Sequence, residues 1–243
     1  MRYKCKSLIL LIIFLNGCQE QQTEIDSEQR PVSDNEQTTH VSLIKHTVTS
    51  FPKTLSKTCR EGIANIYDEC GSQQQILNNA LRAAQESGKS VLILYGAEWC
   101  IWCHVFDKYV KGVSRQFNYQ WQYHDGDNLS WAMKERANKE AELEASILNQ
   151  YFADNFILAH IESFYAPDGE QVLADLAYDV DNIVGVPVIL VLNQAGEIAG
   201  EMKSSKELIG LEIRSDSGKE FRGYDRMLLL DELKRLRALA LIK

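Results

Sequence analysis

From position 72 onward, hydrophobic and polar residues fall into blocks whose periods predict the elements. Ser72 with Gln75 three residues later is a capping-box start. Ile76, Leu77, Ala80, Leu81 and Ala84 then recur at helical spacing, and Gly88 marks a stop. "SVLILYGA" (90–97) is apolar throughout and partly β-branched, which predicts a strand buried on both faces. A second helix is expected from about Cys100 to Lys111. Residues 112–128, "GVSRQFNYQWQYHDGDN", read as an aromatic, irregular loop, and 130–155 as a long helix rich in good helix formers.

"FILAHIESF" (156–164) predicts a second buried strand, "APDGE" a turn and "QVLADLAY" a short helix. "NIVGVPVILVLN" predicts a third strand entered through Pro187. "NQAGE" is a hairpin turn returning through "EIAGEM", and "YDRMLLLDELKRLRALALI" an amphipathic C-terminal helix. Strands interleaved with helices, ending in a hairpin, give a mixed-sheet α/β layout.

The N-terminal end has a different pattern. "MRYKCK" is basic, and "SLILLIIFLNGC" is an apolar run too short to span a bilayer, the layout of a secretory signal. Leu15-Asn16-Gly17-Cys18 resembles the lipobox of bacterial lipoproteins, which implies cleavage after residue 17 and lipidation of Cys18. Residues 18–50 then form a lipidated, flexible tether. The stretch 19–50 has no aromatic residue and too little apolar area to offset its ordering entropy, with a coil-like reach of roughly 30 Å. His40 and His46 belong to it as solvated residues. Loss of 1–17 removes Arg2, Lys4 and Lys6 and no acid, so the net charge moves from −8 to about −11. That charge argues against nucleic acid as a partner. Membrane contact is expected through the lipid anchor alone, in a bacterial cell envelope, facing periplasm or exterior.

Apart from Cys5 and Cys18, four cysteines remain, and exported cysteines are expected to pair: Cys59 with Cys70, and Cys100 with Cys103. Cys59 and Cys70 bracket part of an extension, residues 51–71, and are read as a structural disulfide. "WCIWCH" (99–104) admits a C-x-x-C redox pair and a C-x-x-C-H haem attachment site, with His104 as an axial ligand. No second C-x-x-C completes a zinc site, so no metal is assigned. Trp99 and the preceding β-run favour the redox pair. At the first turn of a helix, backbone N–H groups and the helix dipole stabilise thiolate, which makes Cys100 the candidate nucleophile. Cys103, one turn on, lies on the same face to resolve a mixed disulfide.

"VLILYGAEWCIWC" followed by "IVGVPVILVLNQAGEI" resembles the thioredoxin superfamily, and the lead-in is similar above all to periplasmic thioredoxin-like reductase domains. The resemblance covers residues 72–243, less an insertion at 112–155. It implies a thioredoxin-like fold, a central mixed sheet flanked by helices, here with a helical insertion after the C-x-x-C helix. It also implies that Cys100 attacks, that Cys103 resolves, and that Pro187, as a cis-proline, shapes the substrate groove with Val186 and Trp99. The family's buried acid, six residues before the first cysteine, is Leu94 here; Glu98 and His160 are candidate substitutes. Ile101-Trp102 matches neither the Gly-Pro of reducing members nor the Pro-His of strong oxidants. The function expected is a thiol–disulfide oxidoreductase, reducing protein or small-molecule disulfides, with the dithiol in place of any dissociable cofactor and an inner-membrane electron donor behind it. A disulfide oxidase or isomerase on the same fold, and a module that binds metal, haem or protein, are the alternatives.

Overall fold

The computed structural model describes residues 44–56, 58–59, 64–114, 117–122, 128–133, 139–202, 214–216, 219–221 and 223–242, and side chains outside 115–140 and 203–222. The signal segment, Cys18 and the tether up to residue 43 lie outside the described residues. A five-stranded sheet forms the centre. It contains β1 (Ser50–Phe51), β2 (Ser90–Gly96), β5 (Phe156–Glu162), β6 (Val188–Leu192) and β7 (Ile198–Glu201), in the order β1-β5-β2-β6-β7. β1 and β2 run parallel to β5, with Leu92 opposite Leu158; β6 is antiparallel to β2, and β7 to β6.

All seven residues of β2 and of β5 are buried, because the sheet separates two apolar layers. Leu92, Leu94 and Leu158 face one layer, shared with α2 (Ile101–Val110), α3 (Lys139–Asn155) and α5 (Arg226–Leu241). Val91, Ile93 and Tyr95 face the other, shared with α1 (Gln73–Ser87) and α4 (Gly169–Asp175). A continuous apolar run is what a strand covered on both faces requires.

The helices begin and end where the sequence signals stand. Ser72 caps α1 by accepting the N–H of Gln75, and Gly88 closes it in the left-handed conformation, φ 69°. The Asp168 carboxylate adds bonds from Ser72 Oγ and the N–H of Gln73 and Gln74, tying the start of α1 to the entry of α4. α5 is capped by Asp225 and buries Leu229, Leu230, Leu233, Leu236 and Ala240.

Three expectations are corrected. The stretch expected as an irregular loop and then one helix from 130 instead holds an antiparallel hairpin, β3 (Phe117–Gln122) with β4 (Asn128–Met133), and α3 begins only at Lys139. Tyr119 stands opposite Trp131 in the ladder, so backbone pairing of the two strands overrides the helix propensity of the 130s. α3 is not an appendage either, since Leu148 and Phe152 are buried in the layer beneath α2. The stretch 112–155 thus holds a β-hairpin as well as a helix, and that helix belongs to the core. A second short hairpin, β8 (Arg214–Asp216) with β9 (Lys219–Phe221), lies in a stretch for which the periodicity predicted no element.

The tether, expected to run to residue 50, ends earlier. Asn149 of α3 accepts the His46 N–H at 2.7 Å and donates to its carbonyl at 3.0 Å. The N–H of Leu158 donates to Thr49. Backbone pairing, which needs no apolar side chain, docks a segment that composition marks as coil.

Candidate functional site

The carboxyl end of β2 delivers the turn Ala97-Glu98-Trp99, where the N–H of Cys100 donates to Ala97 at 2.9 Å. Cys100 is the N-cap of α2: its sulfur accepts the N–H of Cys103 at 3.2 Å, and its carbonyl accepts from Cys103 and His104. Cys100 and Cys103 are disulfide-bonded with Cα atoms 5.3 Å apart; Cys100 keeps 4% of its surface exposed and Cys103 none. The outer sulfur thus sits on the helix N-terminus, where N–H groups favour a negative charge, and the inner one is sealed in the core.

Around the pair stand the other residues singled out in the sequence. Trp99 is half-buried, with its ring edge-on to Phe164 at 6.1 Å, and Phe164 is 66% exposed. Trp102 is also half-buried and meets Tyr224 edge-on at 5.6 Å. The Val186–Pro187 peptide bond is cis, and half-buried Val186 packs against the cluster that contains both cysteines. The neighbouring Val184 is fully exposed. Trp99 and exposed Phe164 thus give the site an apolar rim, of which the W-C-x-x-C motif marks only Trp99.

Residues 73–111, which carry α1, β2 and α2, match the Thioredoxin_7 family, described as thioredoxin-like. The mixed five-stranded sheet flanked by helices is a thioredoxin-like fold. The remaining strands and α5 complete its mixed five-stranded sheet in chain order. A solved structure described as the disulphide isomerase from Xylella fastidiosa Temecula1 is 18% identical, with a TM-score of 0.37, over 57% of this chain and 79% of that one. No curated protein sequence matches the chain.

In this thioredoxin-like domain the extension before α1 is part of the site. Cys59 and Cys70 are disulfide-bonded, and the loop between them carries Ile66 and Tyr67 into the core beside the C-x-x-C turn. Glu98 is fully buried. One of its carboxylate oxygens accepts the N–H of Ile66 at 3.1 Å and of Tyr67 at 3.0 Å, and the other faces His104 Nε2 at 3.3 Å. His104 Nε2 lies 2.7 Å from the carbonyl of Glu98, so this imidazole braces the turn from within α2. Burial pushes the Glu98 carboxyl up, but the hydrogen bond and charge of His104 and the two N–H donors outweigh it and hold it below its usual range.

His160 and Asp107 form a second buried pair on the same side of the sheet. His160 Nε2 is 3.0 Å from Asp107 Oδ1, its Nδ1 is 3.1 Å from the Phe51 carbonyl, and Lys111 joins Asp107 at 2.6 Å. Burial opposes ionisation of Asp107, yet the His160 hydrogen bond and the charges of His160 and Lys111 hold it well below the carboxylate range. Glu98 and His160, the two candidates for the missing acid at Leu94, are thus each committed to a structural pair. Nothing in the local sequence pattern marks Tyr67, whose neighbours come from β2, α2 and β5.

Proposed function

We propose that this chain is a thiol–disulfide oxidoreductase of the cell envelope that reduces protein disulfides through Cys100 and Cys103. The observation that carries it is the Cys100 sulfur at the N-cap of α2, bonded to a buried Cys103 one turn on, beneath an apolar rim. In the reduced pair, the helix N-terminus favours the Cys100 thiolate. That thiolate attacks one sulfur of a substrate disulfide. A mixed disulfide forms, and the other substrate sulfur leaves as thiolate, ready to accept the Cys103 proton. Cys103 then loses its proton and attacks Cys100 Sγ, releasing the second substrate sulfur and closing the Cys100–Cys103 bond. Two electrons pass from the pair to the substrate, and no dissociable cofactor takes part.

Trp99, Val186 and Pro187 line the surface on which substrate lies. The signal 1–17 and lipidated Cys18 place the domain at the membrane, and a membrane electron donor restores the dithiol in an oxidising compartment. The test is the in-cell redox state of the pair, read by acid quench and mass-tag alkylation in wild type, Cys100→Ser and Cys103→Ser. A mainly reduced pair is the expected result. A fully oxidised pair that accepts electrons from reduced client proteins would make the domain an oxidase instead. In parallel, Cys103→Ser should trap clients on Cys100, and Cys100→Ser should trap none.

A further inference from the structure

Resolution requires a thiolate at Cys103, a sulfur with no exposed surface. Burial in an apolar layer disfavours that charge, so a hydrogen-bond donor has to offset it. The position six residues before Cys100 offers none, because Leu94 packs there in the apolar cluster. The backbone of Gly96 shows what fills the space instead. A Cβ at Gly96 would collide with Cys103 Sγ and would lie 2.7 Å from the hydroxyl oxygen of Tyr67. The phenol and the buried sulfur are therefore neighbours across the glycine.

Tyr67 is itself fully buried, and its hydroxyl donates to the carbonyl of Leu94 over a long 3.4 Å. A bond of that length is weak, and a small rotation about the C–O bond turns the proton from the carbonyl toward the sulfur. The ring is held for this purpose: its backbone N–H is fixed by Glu98, and its face or edge by His160 at 5.5 Å and 85°. The other titratable groups packed round the pair are engaged elsewhere. Glu98 bonds the extension and His104, His104 bonds Glu98 within the turn, and Asp107 bonds His160 and Lys111.

We infer that the Tyr67 hydroxyl is the donor that stabilises the Cys103 thiolate while it resolves the mixed disulfide. This rests on the Cys100–Cys103 pair working as a dithiol. Cys103 gives its proton to the substrate thiolate released in the first step, Tyr67 O–H turns from the Leu94 carbonyl to the sulfur, and Cys103 attacks Cys100 Sγ. The bond from Cys100 to the substrate sulfur breaks, that sulfur leaves as thiolate and is protonated by water, and the hydroxyl returns to Leu94. Tyr67 keeps its proton throughout.

The experiment is Tyr67→Phe, which preserves the ring and its contact with His160 and deletes the hydroxyl. Cys103 is titrated by its ¹³Cβ NMR shift in a Cys100→Ser background, a measurement that needs no turnover and so stays informative if the wild type reduces no disulfide. The expected result is a pKa about one unit higher in Tyr67→Phe, a tenfold smaller thiolate fraction near neutrality. In the two-cysteine protein, the mixed disulfide should live about tenfold longer while the rate of attack by Cys100 stays the same. A folded Tyr67→Phe protein with an unchanged Cys103 titration overturns the inference. If that variant does not fold, the ¹³Cζ shift of Tyr67 is followed through the Cys103 titration in the Cys100→Ser protein; the hydroxyl must report the thiolate, and a Tyr67 signal that ignores it overturns the inference equally.

Discussion

Glu98, in the turn that presents Cys100, accepts the backbone N–H of Tyr67 at 3.0 Å across 31 positions of sequence. One carboxylate oxygen therefore fastens the N-terminal extension to the C-x-x-C turn. Glu98→Ala leaves two buried N–H groups without this acceptor and should destabilise the fold by about 3 kcal/mol. Glu98→Gln keeps an acceptor oxygen and should lose less. Urea titration of both variants decides it; equal losses would mean that charge, not hydrogen bonding, sets the effect.

Gly96 is where β2, the inner sulfur and the Tyr67 hydroxyl converge. Gly96→Ala should lower stability by about 2 kcal/mol through overpacking. The loss should be larger when Cys103 is the bulkier neighbour and smaller in a Cys103→Ala background. Additive effects in that double-mutant cycle would refute the contact.

The Cys59–Cys70 bond closes a short loop, with 11 positions of separation. Cys59→Ser with Cys70→Ser should cost about 3 kcal/mol by the chain-entropy estimate. Because that loop carries Tyr67, hydrogen exchange at Ile66 and Tyr67 should accelerate more than at β5. Uniform acceleration would show a global effect without local release.

Acid should unfold the protein through its buried carboxylates. Asp107 and Glu98 hold folded-state pKa values below their ordinary 3.8 and 4.5, so each binds a proton more readily when unfolded. Their stabilisation is complete above about pH 5 and fades as pH falls below 4.5 toward the folded values. Asp107→Asn should lose about 3 kcal/mol at pH 7, where it leaves His160 and Lys111 without their anion. Its stability should then fall less steeply than that of the wild type below pH 4.5. Thermal melts from pH 7 to pH 3 give both slopes, and parallel slopes would remove Asp107 from the account.

Phe164 stands beside Trp99 with 66% of its surface exposed. For the proposed reductase, Phe164→Ala should raise KM for a protein disulfide about fivefold, the loss of one aromatic anchor, and leave reduction of a small disulfide unaffected. An equal change for both substrates would place Phe164 in support of Trp99 and not on the docking surface.

The sequence determined those features that depend on period and on neighbours in the chain. The helical spacing from Ile76 to Ala84, the apolar runs of β2, β5 and β6, the caps at Ser72 and Gly88, and Cys100 at a strand-to-helix turn each rest on contacts that repeat locally. Two apolar layers on one sheet follow from runs that leave no polar face. The β3–β4 hairpin escaped because strand pairing joins two segments whose partnership no local period reveals, while the residues of β4 taken singly favour helix as well. The docking of 44–51 escaped because it is made by main-chain groups, which every sequence has. Above all, only the tertiary structure decided that Cys103 is sealed from water, that Glu98 serves as a bolt, and that Tyr67 stands beside the inner sulfur. Those contacts join residues 31 or more positions apart, and no period along a chain encodes which distant side chain will fill the space left by a glycine.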